Sequence, residues 1–426
     1  MRDDRIFRID PLLVNGVALE GPGGLIMDAE KNAGYWEIIA PLRLDSSSGN
    51  IQNLVARLAS LHCSSRIYEG PLNEEQCRKF RLMEPVFRIT VRTGPLSHSV
   101  TIEPDPTGPN ASYVCRRNGE DAVLCIDSPD LNPILSKPLS HYRSRELLKP
   151  VREMVQNLKI WRGERLNLEL ERLPEGKYFK ITAPFKASAD NVSDGNTTPI
   201  YNFLIQVDGI RIEDFVADGV EDLADYGLAP PDLSVELQWK SSGMNRDARL
   251  VFSCDDGHGA VFASRVDKPG LYSVYRVNAK DLEPLYQDAL YLRDRRLFPQ
   301  DVGRIHGATF TNSSHQSFTI VRDDGGFFSK DPGSRFQQFL NQMMREQVVR
   351  YIADPALKDS PYFLKMNGSI EIVLKTDDDL PGEKLSIEFG TRCDDGWYGK
   401  ISDQTHGIFI ISNAFMADFN QLFTNL

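Results

Sequence analysis

Tyr291-Leu-Arg-Asp-Arg-Arg-Leu-Phe298 closes one stretch of this chain and opens the next. A near-copy, Tyr142-Arg-Ser-Arg-Glu-Leu-Leu148, stands about 150 residues upstream, and a third echo, Arg2-Asp-Asp-Arg-Ile-Phe7, begins the sequence. A connector recurring at that spacing marks a chain built from repeated units. They fall at residues 1–150, 151–300 and 301–426, the third degenerate in its connector and turn. A period near 150 is too long for a solenoid repeat, so each unit needs its own core. The total length also calls for two to four domains.

Each connector is followed by the same succession. First come alternating strands: Val14 to Pro41 in the first unit, Ile160 to Glu171 and Tyr178 to Pro184 in the second, Ile305 to Phe310, Ser317 to Val321 and Gly326 to Phe328 in the third. Apolar and polar residues alternate, as in half-buried antiparallel strands, and Ala-Pro ends the run in the two complete copies. A helix follows. Ile51, Leu54, Val55, Leu58 and Leu61 make one stripe in the first unit, while Phe336, Phe339, Leu340, Met343, Met344, Val348 and Ile352 predict a single long helix behind Ser334 in the third. The middle copy, Ile200 to Val216, is less periodic.

Next comes a tight turn, clearest at Asp225-Tyr-Gly-Leu-Ala-Pro-Pro231, with Phe80-Arg-Leu-Met-Glu-Pro85 in its place in the first unit and Asp354 to Asp359 as a weak match in the third. Gly227 permits positive φ there, and Pro230-Pro231 keeps the chain extended beyond it. Four short strands follow in each unit, such as Leu233 to Trp239, Arg249 to Phe252, Ala260 to Ala263 and Tyr272 to Val277. Terminal helices are expected at Leu131/Ile134/Leu135, Leu282/Leu285/Ala289 and Phe415/Phe419/Leu422/Phe423. The fold class is therefore α+β: three tandem domains, each a mainly antiparallel twisted meander with about two helices packed on one face.

Composition excludes several function classes. An apolar share of 41% and a charged share of 26% are those of a globular chain, and a formal charge of −11 argues against a partner held by phosphate neutralisation, so no nucleic acid is expected. No run approaches the ~20 apolar residues of a membrane span. The charged start Met1-Arg-Asp-Asp-Arg lacks a signal peptide, which on the residues alone places the chain in the cytoplasm. The six cysteines have no Cys-x-x-Cys spacing. If Asn118-Gly119 is a two-residue turn, Cys115 faces Ala122 and Cys125 faces Ser112 on opposite faces of the ribbon, which favours small buried side chains over a disulfide.

Cys254-Asp-Asp-Gly-His258 brings thiol, carboxylates and imidazole into five residues, and a hydrolase using His258 with Asp255 or Asp256 is one reading. The cluster has a twin, Cys393-Asp-Asp-Gly396, with Trp397 where the histidine would be. Asp-Gly is a preferred hairpin turn, so both read first as turns. Asp377-Asp-Asp379 lacks the alternate-position spacing of a calcium loop and reads as a solvated turn. No nucleophile elbow, phosphate-binding Gly-Lys loop or paired-histidine motif is present, and no catalytic residue, metal or cofactor is expected. The connector arginines Arg143, Arg145, Arg293, Arg295 and Arg296 follow a helix end, where cations favour the dipole and bind carbonyls. Their recurrence points to pairing between units. Tyr226 in the turn, and Phe415 and Phe419 on the last helix, complete the candidate interface residues, the phenylalanines reading first as core.

These motifs resemble the bacterial domain-of-unknown-function 4340 family. The resemblance rests on Trp36 to Pro41, Phe179 to Pro184, Tyr226-Gly-Leu-x-x-Pro231, Val274-Tyr-x-Val277 and Leu292 to Phe298, and is most specific across 221–298. It implies an extracytoplasmic location in the cell envelope, periplasmic and tethered to the membrane through an N-terminal helix, with some members accessory to an ABC-type transport system of the gliding-motility kind. This sequence has no such helix, so the membrane is reached only through an anchor missing upstream of Met1 or through a partner subunit. Three functions compete. The first is a non-enzymatic scaffold with protein partners in a membrane-associated complex. The second is a module for a small ligand or glycan in a cleft between units, with exposed aromatics near Trp161 or Trp239. The third is the His258 hydrolase.

Overall fold

The computed structural model describes residues 4–105, 112–117, 119–148, 154–174, 178–189, 199–241, 244–255, 257–266, 270–298, 302–323, 328–329, 334–352, 363, 365–375, 381–401 and 408–424. The chain divides into two compact units, Met1–Leu147 and Leu148–Leu426. The first carries one antiparallel sheet and the second carries two.

In the first unit, strands β1 (Gly16–Gly21), β2 (Gly24–Asn32), β3 (Tyr35–Ala40) and β4 (Leu44–Asp45) form one meander. Helix α1 (Ser48–Ser60) then leads to β5 (Ser65–Glu69) and the short helix α2 (Glu74–Lys79). A second meander follows as β6 (Phe87–Thr93), β7 (Leu96–Asp105), β8 (Ser112–Arg117) and β9 (Ala122–Asp127), then α3 (Ser128–Leu135) and α4 (Leu139–Tyr142). The strand order is β4-β3-β2-β1-β6-β7-β8-β9-β5. The two meanders therefore join through their first strands. After each one the chain passes through helix and pairs at the far edge of the other: α1 leads to β5 beside β9, and α4 leads to Arg143, which bridges Ser46 just past β4.

The second sheet repeats this plan with β10 (Val155–Arg162), β11 (Arg165–Arg172), β12 (Phe179–Ala183), β13 (Ala187–Ser188), α5 (Pro199–Gly209), β14 (Ile212–Val220), β15 (Leu233–Ser241), β16 (Met244–Phe252), β17 (Ala260–Arg265) and β18 (Tyr272–Asn278). The third uses β19 (Ile305–Asn312), β20 (Ser317–Arg322), β21 (Phe328–Ser329), α6 (Arg335–Met343), β22 (Arg350–Tyr351), β23 (Gly368–Lys375), β24 (Pro381–Cys393), β25 (Gly396–Ile401), β26 (Phe409–Ile411) and α7 (Asn413–Gln421). Its order, β21-β20-β19-β23-β24-β25-β26-β22, is the same without the outermost strand of the first meander among the described residues.

The α+β repeat architecture is thus as the alternation predicts, and β23 shows why: Gly368 to Lys375 alternates buried and half-buried without a break. One face of each sheet packs on the helices, where Ile51, Leu54, Val55 and Leu58 of α1 are buried. The other carries ion pairs between residues directly opposite on neighbouring strands, including Lys159–Glu169, Lys180–Glu171 and Lys400–Glu388 at 3.2, 3.0 and 2.7 Å. Antiparallel sheets commonly combine one buried and one wetted face in this way. The third core is dominated by aromatic rings, with Phe310–Phe336 centroids at 4.9 Å and Phe339–Phe415 at 5.0 Å.

Several expectations change. The third-unit helix stops at Met343; Val348 is buried outside it, and Arg350–Tyr351 forms the edge strand β22. Continuing the helix would leave that edge unpaired. The terminal helix of the second unit is two 3-10 segments, Ala279–Tyr286 and Ala289–Leu292, the first holding Pro284, which has no N–H for an α-helical bond. The less periodic middle helix, expected over Ile200 to Val216, ends at Gly209, and the chain from Ile212 is the edge strand β14; the remaining edge strand, β5, carries no expectation from the sequence. Cys115 faces Leu124 rather than Ala122, and Cys125 faces Val114, a register two residues away from that of a two-residue Asn118-Gly119 loop. Both thiols are free, and burial pushes that of Cys115 up.

Candidate functional site

The connector is used twice. Its first half closes the preceding sheet, and its second half enters the core of the next. Arg293 caps the 3-10 segment Ala289–Leu292 and bridges Ala189 beyond β13, as Arg143 bridges Ser46 beyond β4. Only 3% exposed, the Arg293 guanidinium lies 3.9 Å above the Tyr351 ring of β22 and 5.6 Å from the Phe185 ring, which follows β12. A desolvated cation is thereby held between an aromatic of the second sheet and one of the third. The Tyr351 hydroxyl donates to the Asp294 carbonyl at 2.6 Å. Asp294, also buried, accepts the Arg296 backbone N–H at 2.9 Å and the Arg296 guanidinium at 2.6 Å, so its charge is paired. Ser144 plays the same part in the first connector, its hydroxyl accepting the Glu146 N–H at 3.1 Å.

Beyond that point the chain pairs with the segment after the next helix. Leu297 N–H donates to the Glu346 carbonyl at 2.9 Å and Val348 N–H to the Arg295 carbonyl at 2.8 Å; Leu297 and Phe298 are buried in the third core. The N-terminal echo does the same, with Ile6 N–H to Leu61 at 2.7 Å, Cys63 N–H to Asp4 at 2.9 Å, and Ile6 and Phe7 in the first core. Arg145 and Arg295 remain exposed. The recurring motif singles out Arg143 and Arg293 from the sequence; Tyr351 and Phe185, about 58 and 108 residues from Arg293 in sequence, carry no such signal, and Asp294 stands inside the motif without a counterpart carboxylate in the first connector.

The other candidates separate. Phe415 and Phe419 are fully buried in the third core and offer nothing to a partner. Tyr226 is half-buried, with its ring edge-on to Phe262 at 5.7 Å, and belongs to a small second core with Leu223, Leu228, Val251 and Val274. Trp161 and Trp239 are half-buried in β10 and β15 of the same sheet. The first-unit turn has the same backbone: Leu82 N–H reaches Cys77 and Leu228 N–H reaches Leu223, with Arg81 and Gly227 both at positive φ, 60° and 66°. The third-unit turn at 354–359, Asp256 and Asp377 to Asp379 lie outside the described residues.

A groove of about 740 Å³ runs along β14, lined by Glu213, Asp214, Phe215, His258, Arg276 and Asn278. Arg276 lies 3.8 Å from Glu213 and 3.6 Å from Asp214, and the Asn278 amide donates to Glu213 at 3.2 Å. The exposed His258 borders this groove. Asp255, its expected partner, instead accepts the N–H groups of Gly257 and Gly259 at 3.0 Å each and organises its own loop. In the twin cluster Cys393 pairs with Gly396, so the two-residue turn is Asp394-Asp395 rather than Asp-Gly. Among the described residues no trio of His, Cys, Asp or Glu is placed to share a metal ion, and no helix is long and apolar enough to cross a membrane.

A family model described as a domain of unknown function (DUF4340) matches residues 36–221 and again residues 196–366. Each match spans one connector, 142–148 in the first and 291–298 in the second. No curated protein and no solved structure matches the chain.

Proposed function

The chain belongs to this domain-of-unknown-function family, DUF4340, and from that premise we propose that it is a non-enzymatic scaffold of a bacterial envelope complex. In this reading the α+β repeats hold surfaces at fixed spacing for protein partners on the extracytoplasmic face, in a complex accessory to an ABC-type transport system. The observation that supports it is the connector. Its buried arginine, carboxylate and apolar pair are spent on joining one repeat to the next, as a spacer requires and an active site does not. Membrane attachment in this reading comes through a partner subunit or an anchoring segment. Affinity purification from the native membrane tests it: envelope partners should co-purify in fixed ratio, and recovery as a lone monomer would count against it.

The groove along β14 favours a second reading, a small-ligand module within the second repeat rather than between repeats. Mixed carboxylate, guanidinium and amide groups beside Phe215 suit a polyhydroxylated ligand. His258→Ala should leave folding unchanged and weaken saturable glycan binding if this reading holds; unchanged glycan binding removes it.

A further inference from the structure

The first repeat contains a second cavity, of about 270 Å³, between α1 and the α3–α4 segment. This is below the ~300 Å³ lower end of pockets for drug-sized ligands, so it suits a small group. Its polar lining is Asn50, Asn53, Arg57, Lys137 and His141, with Tyr142 beside them. Among the described residues no carboxylate lines it, although the chain carries a net charge of −11. Among the described residues, neither Arg57 nor Lys137 has a carboxylate within ion-pair reach. The Asn50 amide donates to the His141 carbonyl at 2.7 Å and ties the start of α1 to α4.

The repeats provide an internal control. Buried positions Ile51, Leu54, Val55 and Leu58 of α1 align with Ile200, Phe203, Leu204 and Val207 of α5, and with Phe336, Phe339, Leu340 and Met343 of α6. On that register Arg57 corresponds to Gln206 and to Gln342. Aligning the connectors places Gln287 and Tyr291 opposite Lys137 and His141. The fold therefore forms in the second repeat without these cations, and in the third without the Arg57 charge, so their gathering in the first one has no architectural cause.

We propose that this cleft binds a phosphoryl group, held by the Arg57 guanidinium, the Lys137 ammonium and the His141 imidazole, with the Asn53 amide at its rim. A guanidinium fork and an ammonium point charge together match a tetrahedral dianion better than a planar monoanion. Burial first, then the neighbouring Lys137 charge, lowers the His141 pKa, so the imidazole is set to gain a proton when an anion arrives. Arg57 from α1 and Tyr142 from α4 are the other ionisable groups facing it. The phosphoryl group is either that of a soluble phosphate or that of a lipid headgroup.

Calorimetric titration of the full chain with inorganic phosphate, beside succinate as the carboxylate control, tests the site. Saturable phosphate binding should weaken at least tenfold in Arg57→Gln and in Lys137→Gln, and be lost in the double variant. Glutamine is what the second repeat carries at both places, so circular dichroism should report an unchanged fold. The His141 ring signal should move with phosphate in the wild type and stay fixed in the double variant. Co-sedimentation with phosphatidylcholine vesicles containing phosphatidic acid, competed by free phosphate, identifies a headgroup; phosphate binding without vesicle binding identifies a soluble phosphate. Absence of saturable phosphate binding, equal affinity for succinate, or undiminished binding by the folded double variant would overturn the proposal.

Discussion

At Arg81 the chain holds an arginine where its second repeat holds Gly227, and both have positive φ. A side chain in the left-handed region costs about 1–2 kcal/mol, partly offset by the greater unfolded-state freedom of glycine. Arg81→Gly should therefore stabilise the first unit by about 0.5–1 kcal/mol in denaturant melts, whereas Gly227→Ala should cost about 1 kcal/mol in the second. The connector gives a sharper contrast. Arg293→Ala removes a buried cation held between two rings and should destabilise by about 2 kcal/mol or more, while the exposed Arg295→Ala should stay within about 0.5 kcal/mol. Equal effects of the two would remove the clamp. Tyr142 supplies a pH signature. Burial pushes its pKa up to about 12, against about 10 for an unperturbed tyrosine. The unfolded chain loses this proton first, so stability is full below about pH 10 and falls as pH rises toward 12. Tyr142→Phe should flatten that part of the stability–pH curve in denaturant melts between about pH 10 and 12.

Among the elements, the strands that line the core were legible and the edge strands were not. β23 exposes its alternation within eight residues, whereas β10, read from the sequence only from Ile160 on, begins at Val155 and has its alternation broken at Gln156-Asn157. β14 buries little beyond Ile212, and its register with β18 shifts three times, which blunts an edge against further pairing. Such a strand has no apolar pattern to read; β18 alone defines it. The third-unit stripe misled for the related reason that Val348 is buried by an edge strap, which from sequence looks like one more helical turn. The connector's second half behaves as a core element of the following repeat. Phe298→Ala and Phe7→Ala should each cost about 3–5 kcal/mol, as large-to-small changes in a packed core do. A loss below about 1 kcal/mol by chemical denaturation would mean that these residues are only linker.

At the scale of the molecule, Met1–Leu147 and Leu148–Leu426 each carry their own core, so unfolding of the full chain should not be a single two-state step. Scanning calorimetry should resolve more than one transition, and Phe7→Ala should lower only one of them. The candidate site divides along the same line as the fold. Arg143 and Arg293 could be picked out because a short motif recurs at a fixed spacing, and Asp294 stood beside them. Phe185 and Tyr351, which hold Arg293, and the grouping of Arg57 with Lys137 and His141, depend on contacts between residues scores of positions apart. What the sequence determined by itself was the repeat, the α+β class and the alternating core strands, since those follow from local periodicity and from a motif copied along the chain. Tertiary structure alone decided where each edge strand pairs, which ring meets which cation, and that one repeat gathers positive charge in a cleft. Those outcomes depend on distances across a sheet and between helices, and no local pattern of side chains encodes them.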